Sequence, residues 1–223
     1  MACLRYCKFD LNSRFCNAVG LSASIFVPTS QRISTSIPYA SYIMKKPIPL
    51  YSLVIFPTTE QSTLVKSWKQ QLQNQINWFG SANAAAHITI IQFENEMLMS
   101  LYIDQIREYC KSATAQNVTL NTFGDLYPHT FFIAPDEPSK EYLDKLIIDL
   151  HDFLGFKINR DSIKAHLTIA RKLNSEKLKT AYDLFINTKV NLQFSCDAFY
   201  LRKFNYHTNQ YSDIVEKIDI GYK

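Results

Sequence analysis

Two short segments of this 223-residue chain carry the same residue types in the same order. Residues 86–91 read Ala-His-Ile-Thr-Ile-Ile, and residues 165–170 read Ala-His-Leu-Thr-Ile-Ala. Each is a histidine, an apolar residue, a threonine and another apolar residue, and the two histidines stand 79 positions apart. Imidazole gives and takes protons near neutral pH. Two imidazoles facing one cleft can share a single step, one as general base on an attacking water and the other as general acid on a leaving oxygen. Thr89 and Thr168 add hydroxyls that can hydrogen-bond the non-bridging oxygens of a phosphoryl group. The spacing differs from His-Glu-x-x-His, in which two histidines share one helix face around a metal. The chemistry these residues suggest is acid–base work on a phosphodiester, without metal or other cofactor. His87, His166, Thr89 and Thr168 are the candidate catalytic residues.

Both segments read as strands. They are rich in β-branched and apolar residues and contain neither Gly nor Pro. Side chains on a strand alternate between faces. His87 and Thr89 therefore share one face, roughly 7 Å apart along the strand, and Ile88 and Ile90 seat the other face on a core. The same holds for His166 and Thr168 against Leu167 and Ile169. The other histidines, His129, His151 and His207, do not fit the pattern.

The surrounding chain alternates strands and helices. A strand is predicted at about 50–56, followed by a helix at about 60–79 with an apolar stripe of Leu64, Val65, Trp68, Leu72, Gln75 and Ile76. The first motif strand covers 87–93. A helix at 97–112 follows, with Leu98, Leu101, Ile106 and Tyr109 turned inward. Strands at 117–123 and 129–134 flank a turn expected at Gly124 and Asp125. A helix at 139–154 opens at Ser139 after Pro138, buries Leu143, Leu146, Ile147, Leu150 and Leu154, and ends at Gly155. The second motif strand covers 164–171. Asn174 or Ser175 caps a helix carrying Leu178, Ala181, Tyr182 and Phe185. Long strands at 190–202 and 211–220 close the chain. This order suggests an internal duplication: an α+β fold of two lobes, each giving one motif strand to a shared central cleft, with antiparallel sheets and helices packed outside.

Further candidates lie near these strands. Arg171 would join the face of Thr168 if the strand alternation slips after Ala170. Arg202 and Lys203 end a strand and could steer phosphate. Tyr127, Phe123 and Phe204 could stack a base. Arg171, Tyr127 and Arg202 are taken as candidate substrate-binding residues.

With these residues in place, the chain resembles the 2H phosphoesterase superfamily, which includes bacterial LigT-type 2′-5′ RNA ligases and cyclic phosphodiesterases. The resemblance rests on the paired apolar-His-x-Thr-apolar strands. Residues 49–56 also resemble the opening strand of that family, and residues 164–171 resemble its second motif with the trailing Arg. Residues 194–202 resemble its late strand ending in a basic residue. In all, the likeness covers roughly residues 47–220. One position departs from it: Ala165 stands where the family often has Pro directly before the second His. Pro there would only stiffen entry to the strand.

The resemblance implies the bilobal pseudo-two-fold fold. It also implies a metal-independent enzyme acting on 2′,3′-cyclic phosphates of nucleotides or RNA ends, with 2′-5′ RNA ligation as the reverse reaction. The residues themselves say only phosphoryl acid–base chemistry. His166 as base and His87 as acid is the assignment adopted, and the near-symmetry of the motifs leaves the opposite one open. A non-catalytic nucleotide- or RNA-binding module using the same cleft is the alternative function. A structural or partner-binding protein with accidental His-x-Thr strands is the third reading, and a separation of the two histidines above about 10 Å would favour it.

Composition narrows the partners. The net charge is +4, but residues 1–43 carry Arg5, Lys8, Arg14 and Arg32 against Asp10 alone. Residues 44–223 hold 20 basic and 19 acidic side chains, so the body lacks the basic footprint of a duplex binder. A small nucleotide or an RNA terminus is the expected partner, with the protein acting as a monomer. The cysteines at 3, 7, 16, 110 and 196 form no metal spacing and no even framework. They read as reduced thiols in a cytoplasmic compartment. No apolar run reaches the roughly 18 residues needed to cross a membrane. Residues 1–43 are Ser-rich, acid-poor and without sustained period, and are expected to be poorly ordered and outside the chemistry. They read either as a targeting segment or as sequence upstream of a native start at Met44. The second fits a resemblance that begins within a few residues of Met44. The domain proper is then 44–223.

Overall fold

Among the described residues eight strands form, and all of them join one antiparallel sheet. The computed structural model describes residues 48–221; the leader at 1–43 and its three cysteines lie outside the described residues. The first half of the fold holds β1 (Tyr51–Ile55), α1 (Thr59–Ile76), β2 (Ile88–Phe93) and α2 (Met99–Ser112). A hairpin of β3 (Gln116–Leu126) and β4 (Thr130–Pro135) leads to α3 (Glu137–Phe153), β5 (Leu167–Arg171) and α4 (Ser175–Phe185). The chain closes with β6 (Leu192–Cys196), β7 (Ala198–Asn205) and β8 (Gln210–Asp219).

The strand order is β6-β3-β4-β5-β2-β1-β7-β8. The two motif strands meet at its centre through a single pair, Ile88 with Leu167. Four strands lie on each side, which are the two lobes. The courses β1-α1-β2-α2 and β4-α3-β5-α4 match. Helix packing follows the same pseudo-dyad: α1 lies against α4 and β5, while α3 lies against α2 and β2. Each lobe's helix therefore covers the motif strand of the other lobe. This packing ties β2 to β5 where the ladder between them has only one rung.

The helix faces follow from their burial patterns. Val65, Trp68, Lys69, Leu72 and Ile76 are the buried residues of α1. Leu64 and Gln75, expected in that stripe, are exposed, and the helix ends at Ile76. In α2 the buried residues are Met99, Ile106, Tyr109 and Cys110. Leu98 and Leu101 are exposed because the chain turns through a short 3-10 segment at Glu96–Leu98 first, which rotates the face by about a residue. Helix α3 starts earlier than Ser139. Asp136 is its cap, accepting from the Ser139 N–H at 3.0 Å, and Pro138 sits in the first turn, where no N–H is needed. Its end is as predicted: Gly155 has φ +74°, and Phe156 N–H reaches His151 O at 2.9 Å. Asn174 caps α4 by accepting from the Lys177 N–H at 2.9 Å. In α4, Tyr182 is half exposed while Leu178, Ala181 and Phe185 are buried.

Two strand predictions are corrected. Gly124 and Asp125 lie inside β3, and the turn comes after them, around the cis Tyr127–Pro128 bond. Gly124 is there for space: a Cβ would stand 2.9 Å from the Phe132 ring on the paired strand. The run 190–202 is two strands with a break at Asp197. β6 pairs with β3 in one lobe and β7 with β1 in the other, so the sheet curls until its two ends share this corner. The Ile220 N–H closes the corner on Asp197 O at 2.7 Å. Alternating apolar residues look alike on both sides of such a crossing.

One apolar core runs beneath both lobes, from Leu53, Ile55 and Ile88 to Leu167, Ile169 and Ile133, closed by Leu72, Ile106, Leu143 and Leu150 from the helices. Cys110 and Cys196 are buried free thiols, and burial raises them to about 12 and about 11. Among the described residues, no helix is long and apolar enough to cross a membrane.

Candidate active site

Each histidine stands one residue before its strand, and each is oriented in the same way. His87 Nδ1 lies 2.7 Å from Ala85 O, and His166 Nδ1 lies 2.6 Å from Lys164 O. A carbonyl oxygen can only accept, so Nδ1 carries the proton in both rings. The lone pair is then on Nε2, the nitrogen left for chemistry. Continuing the register of the Ile88–Leu167 pair by one residue sets His87 opposite Thr168, and His166 opposite Thr89. The two histidines become diagonal neighbours, about 7–8 Å apart along the backbone. That spacing is inside the limit set by a shared phosphorus.

Both motif strands contain a bulge at the same place. In β2 the register with β1 passes from Leu53–Ile91 to Val54–Thr89, skipping Ile90. In β5 the register with β4 passes from Phe131–Ala170 to Phe132–Thr168, skipping Ile169. A bulge inserts one residue and shifts the alternation that follows. Ile90 and Ile91 are consequently both buried, as are Ile169 and Ala170. The residues after them return to the threonine face. Arg171 thus joins Thr168, the slip its role required, and Gln92 joins Thr89 at the equivalent place in the other lobe.

The electrostatics break this symmetry. His87 is lowered to about 3, by burial first and then by the charges of Arg202, Lys69 and Arg171. His166 is lowered less, again by burial first, with the Arg171 charge adding to it and the Lys164 carbonyl opposing. Its ring leans on Phe132 at 4.7 Å between centroids, the contact that Gly124 makes room for.

The loop before His87 is held from two sides. Gly80 and Arg171 exchange both backbone hydrogen bonds at 2.8 Å. The Ser81 hydroxyl donates to Ile169 O, the bulge residue, at 3.1 Å. From the other side, Lys69 Nζ donates to Ala84 O at 2.8 Å and to Ser81 O at 3.2 Å. Lys69 is buried, and burial together with Arg171 lowers it to about 8. The lysine therefore shapes the loop whose Ala85 carbonyl aims His87, and the same loop is stitched to the bulge that turns Arg171.

A 2′-5′ RNA ligase superfamily model matches residues 57–207. The chain belongs to that superfamily. Among solved structures, it is similar to LigT of E. coli complexed with 3′-AMP, at 11% identity and a TM-score of 0.56, covering 78% of this chain and 99% of that one. It is also similar to TT0787 of Thermus thermophilus, at 13% identity and a TM-score of 0.54, with 78% and 99% covered. No curated protein sequence matches the chain. The bilobal α+β fold expected from the 2H phosphoesterase resemblance is the fold of these neighbours.

Within this superfamily member the softer candidates separate. Arg202 is buried on β7, and its charge acts on His87. Lys203 points elsewhere, donating to Glu96 at 2.6 Å. Tyr127 is exposed in the β3–β4 turn and meets Ser175 Oγ at 2.8 Å, away from the histidines' own partners. Phe123 is stacked between Phe131 and Phe185 and is a packing residue, as Phe204 is against Tyr206 and Tyr211. Lys69 and Gln92 were missed by sequence reasoning. A lysine among the apolar positions of α1 was the available signal for the first; the second needed the bulge. Among the described residues, no three His, Cys, Asp or Glu side chains gather as a metal would need.

Lys69→Met keeps most of the bulk and removes the donors. The expected result is a fall in kcat of about 10²-fold, the size of effect that a misplacement near 1 Å produces. The acid limb of the pH–rate profile should move up, because a positive charge that depresses His87 is gone. Steady-state kinetics from pH 4 to 8 check both. An unchanged kcat would remove Lys69 from the site.

Proposed function

We propose that this protein is a metal-independent phosphodiesterase that opens 2′,3′-cyclic phosphates of nucleotides or RNA ends, with 2′-5′ RNA ligation as the reverse reaction. The observation that carries the reading is the pair of dyad-related imidazoles, each with Nδ1 tied to a carbonyl two residues back and Nε2 left for the substrate. The hydrolytic step is complete with these groups. His87 Nε2 takes a proton from water, and the water oxygen attacks phosphorus in line. The bond from phosphorus to one ribose oxygen breaks, and His166, entering the step as the imidazolium, gives its Nε2 proton to that oxygen. Thr89 and Thr168 donate to the non-bridging oxygens, and Arg171 offsets their charge.

The three cations around His87 favour its neutral form, which makes it the base and leaves His166 as the acid. This reverses the assignment adopted from the motifs alone, where nothing separates the rings. An arriving phosphodiester anion offsets the cations and draws both ionisations up toward the working pH. The nucleotide held by the LigT neighbour, 3′-AMP, supports a nucleotide as the ligand class.

The test is hydrolysis of nucleoside 2′,3′-cyclic phosphates by the full chain in EDTA, with the product isomers separated by chromatography. Turnover to a single phosphate isomer, unaffected by EDTA, is expected. A folded protein that binds these compounds without opening them would make the cleft a binding module.

A further inference from the structure

A buried guanidinium near His87 has two nitrogens without a hydrogen-bond partner among the described residues. Arg202 is 3% exposed, and its Nε and Nη2 are buried without a hydrogen bond among the described residues. Buried cations are ordinarily paired, because nothing else replaces lost hydration. The nearby carboxylates are engaged elsewhere: Glu96 with Lys203, Glu216 with Arg107, and Asp213 with Asn205 and Ser212. What Arg202 does have is two aromatic rings, Phe56 at 5.5 Å and Tyr211 at 5.6 Å from Cζ. Rings satisfy the face of a guanidinium and leave its N–H edge. That edge is a fork shaped for a phosphate or carboxylate.

Strand register gives the group its surroundings. Ser52 on β1 is paired with Gln92 on β2 and with Arg202 on β7, so the three form one row on one face. It is the face of Thr89, since the β2 bulge returns Gln92 to it. β7 is two strand spacings from β2, about 10 Å. The corresponding row of the other lobe runs Arg171–Thr130–Leu126, with an apolar side chain where Arg202 would stand. The cleft is therefore directional. Arg171 lies on the β5 side of the histidines and Arg202 on the β7 side, where its charge is the largest acting on His87, and Leu126 stands in the other lobe where Arg202 would.

We propose that Arg202, with Ser52 and Gln92, forms a second anion site that takes a non-scissile phosphate of the substrate. The inference rests on reading the cleft as a phosphodiester site, and it narrows the substrate class. The preferred ligand is a nucleotide or RNA end carrying a further phosphate about one nucleotide from the scissile one. A nucleoside cyclic phosphate alone would leave Arg202 without an anion.

The experiment is calorimetric titration of the full chain with a nucleoside 3′-monophosphate and with the matching 3′,5′-bisphosphate, at fixed ionic strength. The bisphosphate is expected to bind about ten- to a hundredfold tighter, the range for hydrogen bonds to a charged group. Arg202→Gln should remove that preference. Gln92→Glu is isosteric, lies at an exposed position and puts a repelling carboxylate in the row, so it should reduce the preference in a protein that keeps its fold. Equal affinities in the wild type overturn the proposal, as does a preference retained by folded Arg202→Gln. If Arg202→Gln does not fold, a preference unchanged in Gln92→Glu overturns it. These ligands need no turnover. Protein that shows the preference but hydrolyses nothing would sink the phosphodiesterase reading alone, and active protein without it would sink the second site alone.

Discussion

His87→Ala and His166→Ala are each expected to lower kcat on a cyclic phosphate by about 10³-fold or more, with the fold retained. A positioned general acid or base contributes about 10²–10⁴-fold, and here each ring is the sole occupant of its role. The double variant should be scarcely worse than either single one, because the two act in one step. Retention of the fold follows from position. Both residues precede their strands, and their fixed bonds are to carbonyls two residues back, so no sheet pairing depends on them. His87→Ala carries a second signature. Its ionisation is depressed from 6.5 to about 3, so the unfolded chain holds more protons than the folded one between those values. Wild-type stability therefore falls as pH drops through that window. The alanine variant lacks this loss and should show a flatter stability curve. Denaturant titrations at pH 7 and pH 4.5, beside steady-state rates, measure both effects. A near-normal rate in either variant would end the two-histidine mechanism.

Much of this site was legible because it is written twice. A single His-x-Thr in a strand says little, but the pair, with apolar residues at alternate positions, points to two strands facing one centre. Strand positions, helix count and the stop at Gly155 followed from local chemistry of the same kind. The failures share a cause, which is that they depend on neighbours in space. Nothing in Ile90-Ile91 or Ile169-Ala170 announces a bulge, since two adjacent apolar residues also suit an uninterrupted buried strand. Gln92 was invisible for that reason. Gly124 looked like a turn, though the demand on it comes from Phe132 on the next strand. The apolar run through Asp197 gave no sign that its halves serve opposite ends of the sheet. Lys69 gives only a weak signal, because a buried lysine is a gap in the apolar periodicity of α1. The acid and base assignment we propose also draws on the fold. It leans on Arg202, whose charge reaches His87 only through the fold.

Arg171→Met should cost about 10²–10³-fold in kcat, the loss seen when one donor to a developing oxyanion is removed. The bulge at Ile169 turns this side chain onto the face of Thr168, and its charge depresses His87, His166 and Lys69 together, so it acts at the centre of the group. Its backbone role is separate. The exchange of hydrogen bonds with Gly80 uses main-chain atoms, which methionine supplies equally well. Loss of activity without loss of that loop is therefore the expected pattern. The pH dependence tells a phosphate-binding role from a structural one. Arg171 disfavours the protonated form of both rings, so its removal raises both ionisations toward the ordinary histidine value. The acid limb, set by the base, should move to higher pH, and the alkaline limb, set by the acid, should move the same way. A residue that merely braced the strand would lower the rate at every pH and leave both limbs in place. Lysine at 171 should recover part of the rate, since it restores the charge but not the planar fork that matches two phosphoryl oxygens. Full activity in Arg171→Met would show that the phosphoryl charge is met by the threonines instead.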